Sequence, residues 1–94
     1  MHFFLKLNAS RPTFSQDMSD AERAIMTKHV GYWKTLMDAG KVVVFGPVFD
    51  PAGGFGMGVV AAESELEVSD LVANDPASTI LRYECHPMRA VLPS

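Results

Sequence analysis

The chain holds one cysteine, Cys85, and one tryptophan, Trp33, among its 94 residues. A single cysteine excludes an intramolecular disulfide and a cysteine-rich zinc site. No apolar run approaches the roughly 18–20 residues that a membrane span needs. The apolar start, His2 to Asn8, is too short for a signal core and has no basic leader. Charge is scarce as well. Only 20% of the residues are charged, and 8 basic against 11 acidic residues leave a net charge of −3. No basic stripe is available to neutralise phosphates, so nucleic acid is not an expected partner. The glycines between Gly53 and Gly58 fit neither a dinucleotide-binding fingerprint nor a phosphate loop, and a strand follows them instead of a helix. No cofactor motif is present. The expectation is a soluble, cytoplasmic protein that uses no membrane, no nucleic acid and no cofactor.

What the chain does have is apolar content, at 48% of residues. Disordered chains combine low hydrophobicity with high charge, and this one does the reverse. Residues 1–94 make a single domain. A domain this short leaves much of its surface uncovered, so its apolar content points to burial between subunits and a homo-oligomer.

Six elements follow from the pattern. His2 to Asn8 reads as a strand, and Ala9 to Met18 has loop chemistry. Ser19 and Glu22 have the spacing of a capping box, which opens a helix over residues 20–39. Ala21, Ile25, Tyr32, Trp33 and Leu36 recur along it at helical spacing. Gly40 is its stop, because glycine tolerates positive φ. Lys41 to Val48 reads as a strand broken at Gly46-Pro47. Asp50 to Gly54 is a turn, and Phe55 to Ala62 is the partner strand of a hairpin. Ser64 and Glu67 form a second capping box before a helix over residues 65–73, which ends at Asn74-Asp75-Pro76. Thr79 to Pro87 is the last strand. The order β-α-β-β-α-β predicts an α+β, ferredoxin-like fold: an antiparallel four-stranded sheet with both helices on one face. The other face needs a cover, and a second copy of the chain supplies one.

His29 is the first chemical candidate, because it falls inside the apolar stripe of the long helix. A buried imidazole needs hydrogen-bond partners, since unmade bonds cost roughly 1–3 kcal/mol. Two roles fit it: a satisfied core histidine, or a general base at the helix–sheet boundary. Asp75 is the second. It fits an ordinary Asp-Pro turn, and equally a carboxylate that orients the imidazole and stabilises imidazolium. Trp33 and Tyr32 flank His29, and Trp33 is a candidate pocket wall as well as a core residue. Arg11 and Arg82 are surface cations that can grip a substrate carboxylate in a bidentate fork. His2 and His86 lie on neighbouring strands, but no ligand spacing supports a metal site. Cys85 reads as a small buried hydrophobe.

At this point the residues resemble a known family. Lys28-His29-Val30-Gly31-Tyr32-Trp33, Gly40-Lys41, and the strand ending Phe45-Gly46-Pro47-Val48 look like the YCII-related family. So do Asn74-Asp75-Pro76-Ala77 and the strand ending His86-Pro87-Met88. The likeness spans nearly the whole chain. It implies the dimeric α/β-barrel architecture, in which two ferredoxin-like sheets pack face to face. It also implies a His–Asp pair at the active site, which maps onto His29 and Asp75, and makes Gly46-Pro47 a pocket wall. The segment Ala77 to Leu81 is shorter than the resemblance implies and lacks a glycine, which bears on the pocket's shape beside Asp75. The wider superfamily includes dehydrochlorinases, lactone isomerases and cofactor-free monooxygenases, and a fold does not choose among them.

The reading is therefore a small enzyme. A His29–Asp75 dyad would perform general acid–base chemistry (elimination, isomerisation or hydrolysis) on a small aromatic or carbonyl-containing molecule. Gly46, Pro47, Trp33 and Arg11 would hold that substrate. Two other readings remain: a dimeric small-ligand-binding protein, and a purely structural dimer.

Overall fold

The computed structural model describes residues 1–94. Its elements are β1 (His2–Ala9), α1 (Phe14–Asp17), α2 (Asp20–Asp38), β2 (Val42–Val48), β3 (Phe55–Ala61), α3 (Glu65–Ala73), a 3-10 turn (Pro76–Thr79) and β4 (Leu81–Met88). The strands form one antiparallel sheet in the order β2-β3-β1-β4. This is the ferredoxin-like arrangement. No helix is long and apolar enough to cross a membrane.

The helix ends follow from local chemistry. Ser19 accepts a bond from the Glu22 N–H, and Glu22 accepts one from the Ser19 N–H, so the first capping box is complete. Gly40 takes φ +80° just beyond α2, which an L side chain would resist. At α3 only half of the expected box forms. Ser64 accepts from the Glu67 N–H, but the Glu67 carboxylate reaches Glu63 instead of Ser64.

Side-chain alternation along β1 sets the two faces of the sheet. Phe3, Leu5 and Leu7 are buried under the helices with Val42, Val60, Val68 and Trp33. Full burial of such a side chain is worth roughly 1.5–3 kcal/mol. His2, Phe4, Lys6 and Asn8 point the other way. By register, Met57, Val59, Val44, Glu84, His86 and Met88 share that second face. No element of the chain packs over it, and Val44 and Met88 are exposed there.

Four further details differ from expectation. The segment read as loop contains α1, one turn of helix that buries Phe14. The strand β2 runs through Gly46-Pro47 without a break, and its irregularity falls between Val42 and Val44. Pro47 is tolerated because β2 is an edge strand, where a missing N–H removes no ladder bond. The last strand starts at Leu81, since Pro76 to Thr79 coil into the 3-10 turn. Cys85 is exposed rather than buried. It lies opposite Leu5 but on the outer strand β4, where the helices cover less. Partial desolvation and the nearby Glu65 nonetheless push its thiol up.

Candidate functional site

The long helix α2 places His29 and Trp33 four residues apart, hence on one face. Both are buried against the sheet, and they are the only two buried residues of that helix. The 3-10 turn brings the carboxylate to them. Asp75 caps this turn, accepting the Ala77 N–H at 2.8 Å. Pro76 occupies the first position, where its missing N–H is harmless. The Asp-Pro turn chemistry and the functional candidacy are thus one feature, since the cap aims the side chain inward.

Asp75 is 2% exposed and accepts from four donors. His29 Nδ1 lies 2.9 Å from Oδ1 and 2.8 Å from Oδ2. Trp33 Nε1 donates to Oδ2 at 2.6 Å, and the Tyr83 hydroxyl donates to the same oxygen at 2.6 Å. Burial alone would push the Asp75 carboxyl up. The donations from His29, Tyr83, Trp33 and Ala77 outweigh it and hold the carboxyl below its ordinary value. Tyr83 moves the other way. Burial, and a bond donated to an anion, push its phenol far up.

An ionised carboxylate only accepts, so Nδ1 of a neutral His29 carries the proton. That leaves the lone pair on Nε2. Nε2 has no partner in the protein, yet no buried polar side-chain atom is left without one. The atom therefore reaches open space, and that space is a cavity of about 330 Å³ lined by His29 and Trp33. Ligand pockets start at about this volume. Phe14 and Met18 close one side, and Phe45, Gly46, Pro47 and Met57 another. No charged side chain other than a protonated His29 lines it: Ser15, His29 and Trp33 are the only lining residues with an N–H or O–H on the side chain. The Trp33 indole N–H is already given to Asp75.

The YCII-related domain matches residues 3–88 of this sequence. The chain belongs to the YCII-related family. No curated protein sequence matches it. Among solved structures it is similar to 5-chloro-2-hydroxyhydroquinone dehydrochlorinase (TftG) from Burkholderia phenoliruptrix AC1100, in complex with 2,5-dihydroxybenzoquinone. The TM-score is 0.67 at 23% identity, over 93% of each chain. That likeness supports the fold.

In this YCII-related chain, five of the six residues singled out from sequence meet around one point. His29 and Asp75 bond to each other, and Trp33, Gly46 and Pro47 line the cavity beside them. Arg11 does not join them. Its guanidinium is held by Asp17 at 2.7 Å and by Glu22 at 2.8 and 3.0 Å, and it does not line the cavity. It braces the segment around α1 against the start of α2. Two contributors escaped sequence reading. Tyr83 sits on an alternating strand, where an aromatic reads as core. Gly58 matters through what it lacks: a Cβ there would lie 2.6 Å from the Trp33 ring. The missing side chain lets the indole lie against β3 and reach Asp75. Only its neighbourhood of glycines hinted at this. His2, His86 and Arg82 lie outside the cavity lining, and no cluster of three or more candidate metal ligands forms.

Proposed function

We propose that this protein is a small enzyme in which His29 is the general acid–base and Asp75 its orienter, acting on a small, largely apolar substrate. The observation that carries this reading is the His29 imidazole, bonded at Nδ1 to a buried carboxylate while Nε2 opens onto an apolar cavity. In the proposed step, Nε2 takes a proton from a phenol hydroxyl, or from a carbon beside a carbonyl. Asp75 stabilises the imidazolium that results. The proton then returns to the leaving group or to another carbon, which gives elimination or isomerisation. Activation of water by the same nitrogen gives hydrolysis. Gly46, Pro47 and Trp33 form the walls that hold the substrate. With no cationic side chain in the lining, the substrate is a neutral or weakly acidic molecule rather than a polyanion. The similarity to a dehydrochlorinase bound to 2,5-dihydroxybenzoquinone supports a flat, oxygenated ring as the first class to try.

The test is turnover of small phenols, quinols and enolisable carbonyl compounds by wild type and His29→Gln. A substrate should be found, and the variant should lose about 10²–10⁴-fold in rate. Full turnover by His29→Gln would rule out this role. The apolar cavity also fits a non-catalytic binder, which would return its ligand unchanged.

A homodimer belongs to the same proposal. The sheet face carrying Phe4, Val44 and Met88 leaves Val44 and Met88 exposed, and a second copy would bury it. Sedimentation equilibrium should give twice the chain mass, and a monomer across the micromolar range would exclude this assembly. A cytoplasmic location fits a chain with one unpaired cysteine.

A further inference from the structure

The Asp75 carboxylate has more donors than the orientation of one imidazole requires. Oδ2 alone receives His29, Trp33 and Tyr83. A carboxylate's charge is finite, and donors on one oxygen share it. Each bond from a neutral group draws density away from the others. In this arrangement two neutral donors compete with His29 for the oxygen that stabilises its protonated form.

We propose that Tyr83 is a positioning residue that tempers His29: its hydroxyl, working with the Trp33 indole, holds the Asp75 carboxylate in place and withdraws part of its charge from the imidazole. A bare carboxylate against His29 would favour imidazolium strongly and leave little free base. The two 2.6 Å donations weaken that pull while keeping the carboxylate aimed. This rests on the reading of His29 as a general base only for its significance; the coupling itself is independent of catalysis.

The surroundings leave few other groups to produce such coupling. From α2, the titratable side chains at this point are His29 and Tyr32. Tyr32 gives its hydroxyl to the Leu71 carbonyl and touches Asp75 only through its field. From β4 the group is Tyr83. The 3-10 turn adds only Asp75, whose sole ion pair is with His29. The facing residues of α3 are Leu71 and Val72, and those of β2 and β3 are Phe45 and Gly58, all without charge.

The experiment is the titration of His29 by ¹⁵N-detected NMR, which also reports the tautomer. It uses the wild type and Tyr83→Phe, which keeps the ring. Removing the hydroxyl should move the His29 midpoint up by about half to one unit, a three- to tenfold change in acidity, on the scale of a lost hydrogen bond. A second measurement works in the opposite direction and leaves the packing nearly unaltered. Tyrosine occurs twice in the chain, as Tyr32 and Tyr83. In a Tyr32→Phe background, 3-fluorotyrosine therefore labels position 83 alone. Fluorine makes the phenol a stronger donor, so the His29 midpoint should fall relative to the unlabelled variant. Opposite shifts from the two changes establish the coupling. An unmoved midpoint in both, or shifts of one sign, overturn it. Loss of turnover in His29→Gln tests the general-base reading separately, so either claim can fail without the other.

Discussion

Asp17, Glu22 and Asp75 are all held below their ordinary values, and Glu22 and Asp75 are held there by opposite means. Glu22 sits at the surface. Its pKa falls to about 2 through hydrogen bonds from the Arg11 guanidinium, then from the Ser19 backbone. Asp75 is buried, and no permanent cation touches it. Neutral donors and one imidazole do the work against burial. The surface pair has water as an alternative partner, so its loss changes little. The buried carboxylate has no alternative, and its four donors have none either. A lowered carboxyl is thus a weak sign of function at the surface. It is a stronger one where burial should have raised it and where its histidine partner opens onto a cavity.

The largest expected effect is at the buried end of this comparison. Asp75→Ala leaves the N–H groups of His29, Trp33 and Ala77 and the Tyr83 hydroxyl without an acceptor. Each buried donor left unsatisfied costs roughly 1–3 kcal/mol, and four are left here. Small domains are stable by roughly 5–15 kcal/mol, so the variant should be close to unfolding. Urea denaturation followed by circular dichroism measures this. A loss below about 1 kcal/mol would mean that the donors find other partners and that the comparison is wrong.

Gly58→Ala comes next. The new Cβ would meet the buried, rigid indole of Trp33 at 2.6 Å. Overpacking of this kind costs about 1–3 kcal/mol. It should also pull the indole N–H from Asp75. Since Trp33 is the only tryptophan, its fluorescence reports the displacement directly. An emission spectrum identical to wild type would show that the sheet, not the ring, gives way.

How much of this was legible in the sequence depended on the range of the interactions. The fold was readable because its signals are local: the Ser19–Glu22 box, Gly40, and the alternation of Phe3, Leu5 and Leu7. The location of the site was readable in part, because an imidazole in an apolar stripe is conspicuous. Its completion was not legible from residue patterns: His29 and Asp75 are 46 positions apart, their contact depends on the turn at Pro76 to Thr79, and only the family resemblance paired them. Tyr83 obeys strand alternation and so carries no mark of its bond. Arg11 misled for the complementary reason. A cation in a loop beside Pro12 suggests a ligand, whereas Asp17 and Glu22 lie near enough in the chain to occupy it first. The open strand β2 shows the same limit, since Gly46-Pro47 reads as a break unless the strand is known to be an edge.

Acid and alkali should separate the groups by sign. Asp75 has a folded pKa below its unfolded value of about 3.9. Its stabilisation is present above that value and is lost as pH falls through the folded pKa. Tyr83 is shifted upward from about 10. The unfolded chain then ionises first, so stability falls as pH rises above about 10. Tyr83→Phe should weaken the alkaline limb most and, by removing one donor to Asp75, the acid limb in part, whereas Asp75→Asn should weaken the acid limb most. Denaturation midpoints across pH 2–11 test both. Unchanged limbs in both variants would assign the pH dependence to other groups.

The smallest effect belongs to the exposed cluster. Arg11→Ala removes the bonds to Asp17 and Glu22, but all three groups meet solvent, and holding them together orders long side chains. Glu22 keeps its bond from the Ser19 N–H, so the helix start survives. The expected loss of stability is small, and added salt should shrink it further, because the Debye length falls to about 3 Å at 1 M. The informative quantity is its difference from Asp75, whose buried pair salt reaches poorly. Thermal melts of both variants at low and high salt would show it. If the Arg11→Ala loss persisted undiminished in 1 M salt, the guanidinium would be acting through its stacking on Phe14, whose ring centroid lies 5.2 Å from Cζ, rather than through its ion pairs. The segment that walls the cavity would then be held through Phe14, the same ring that lines it.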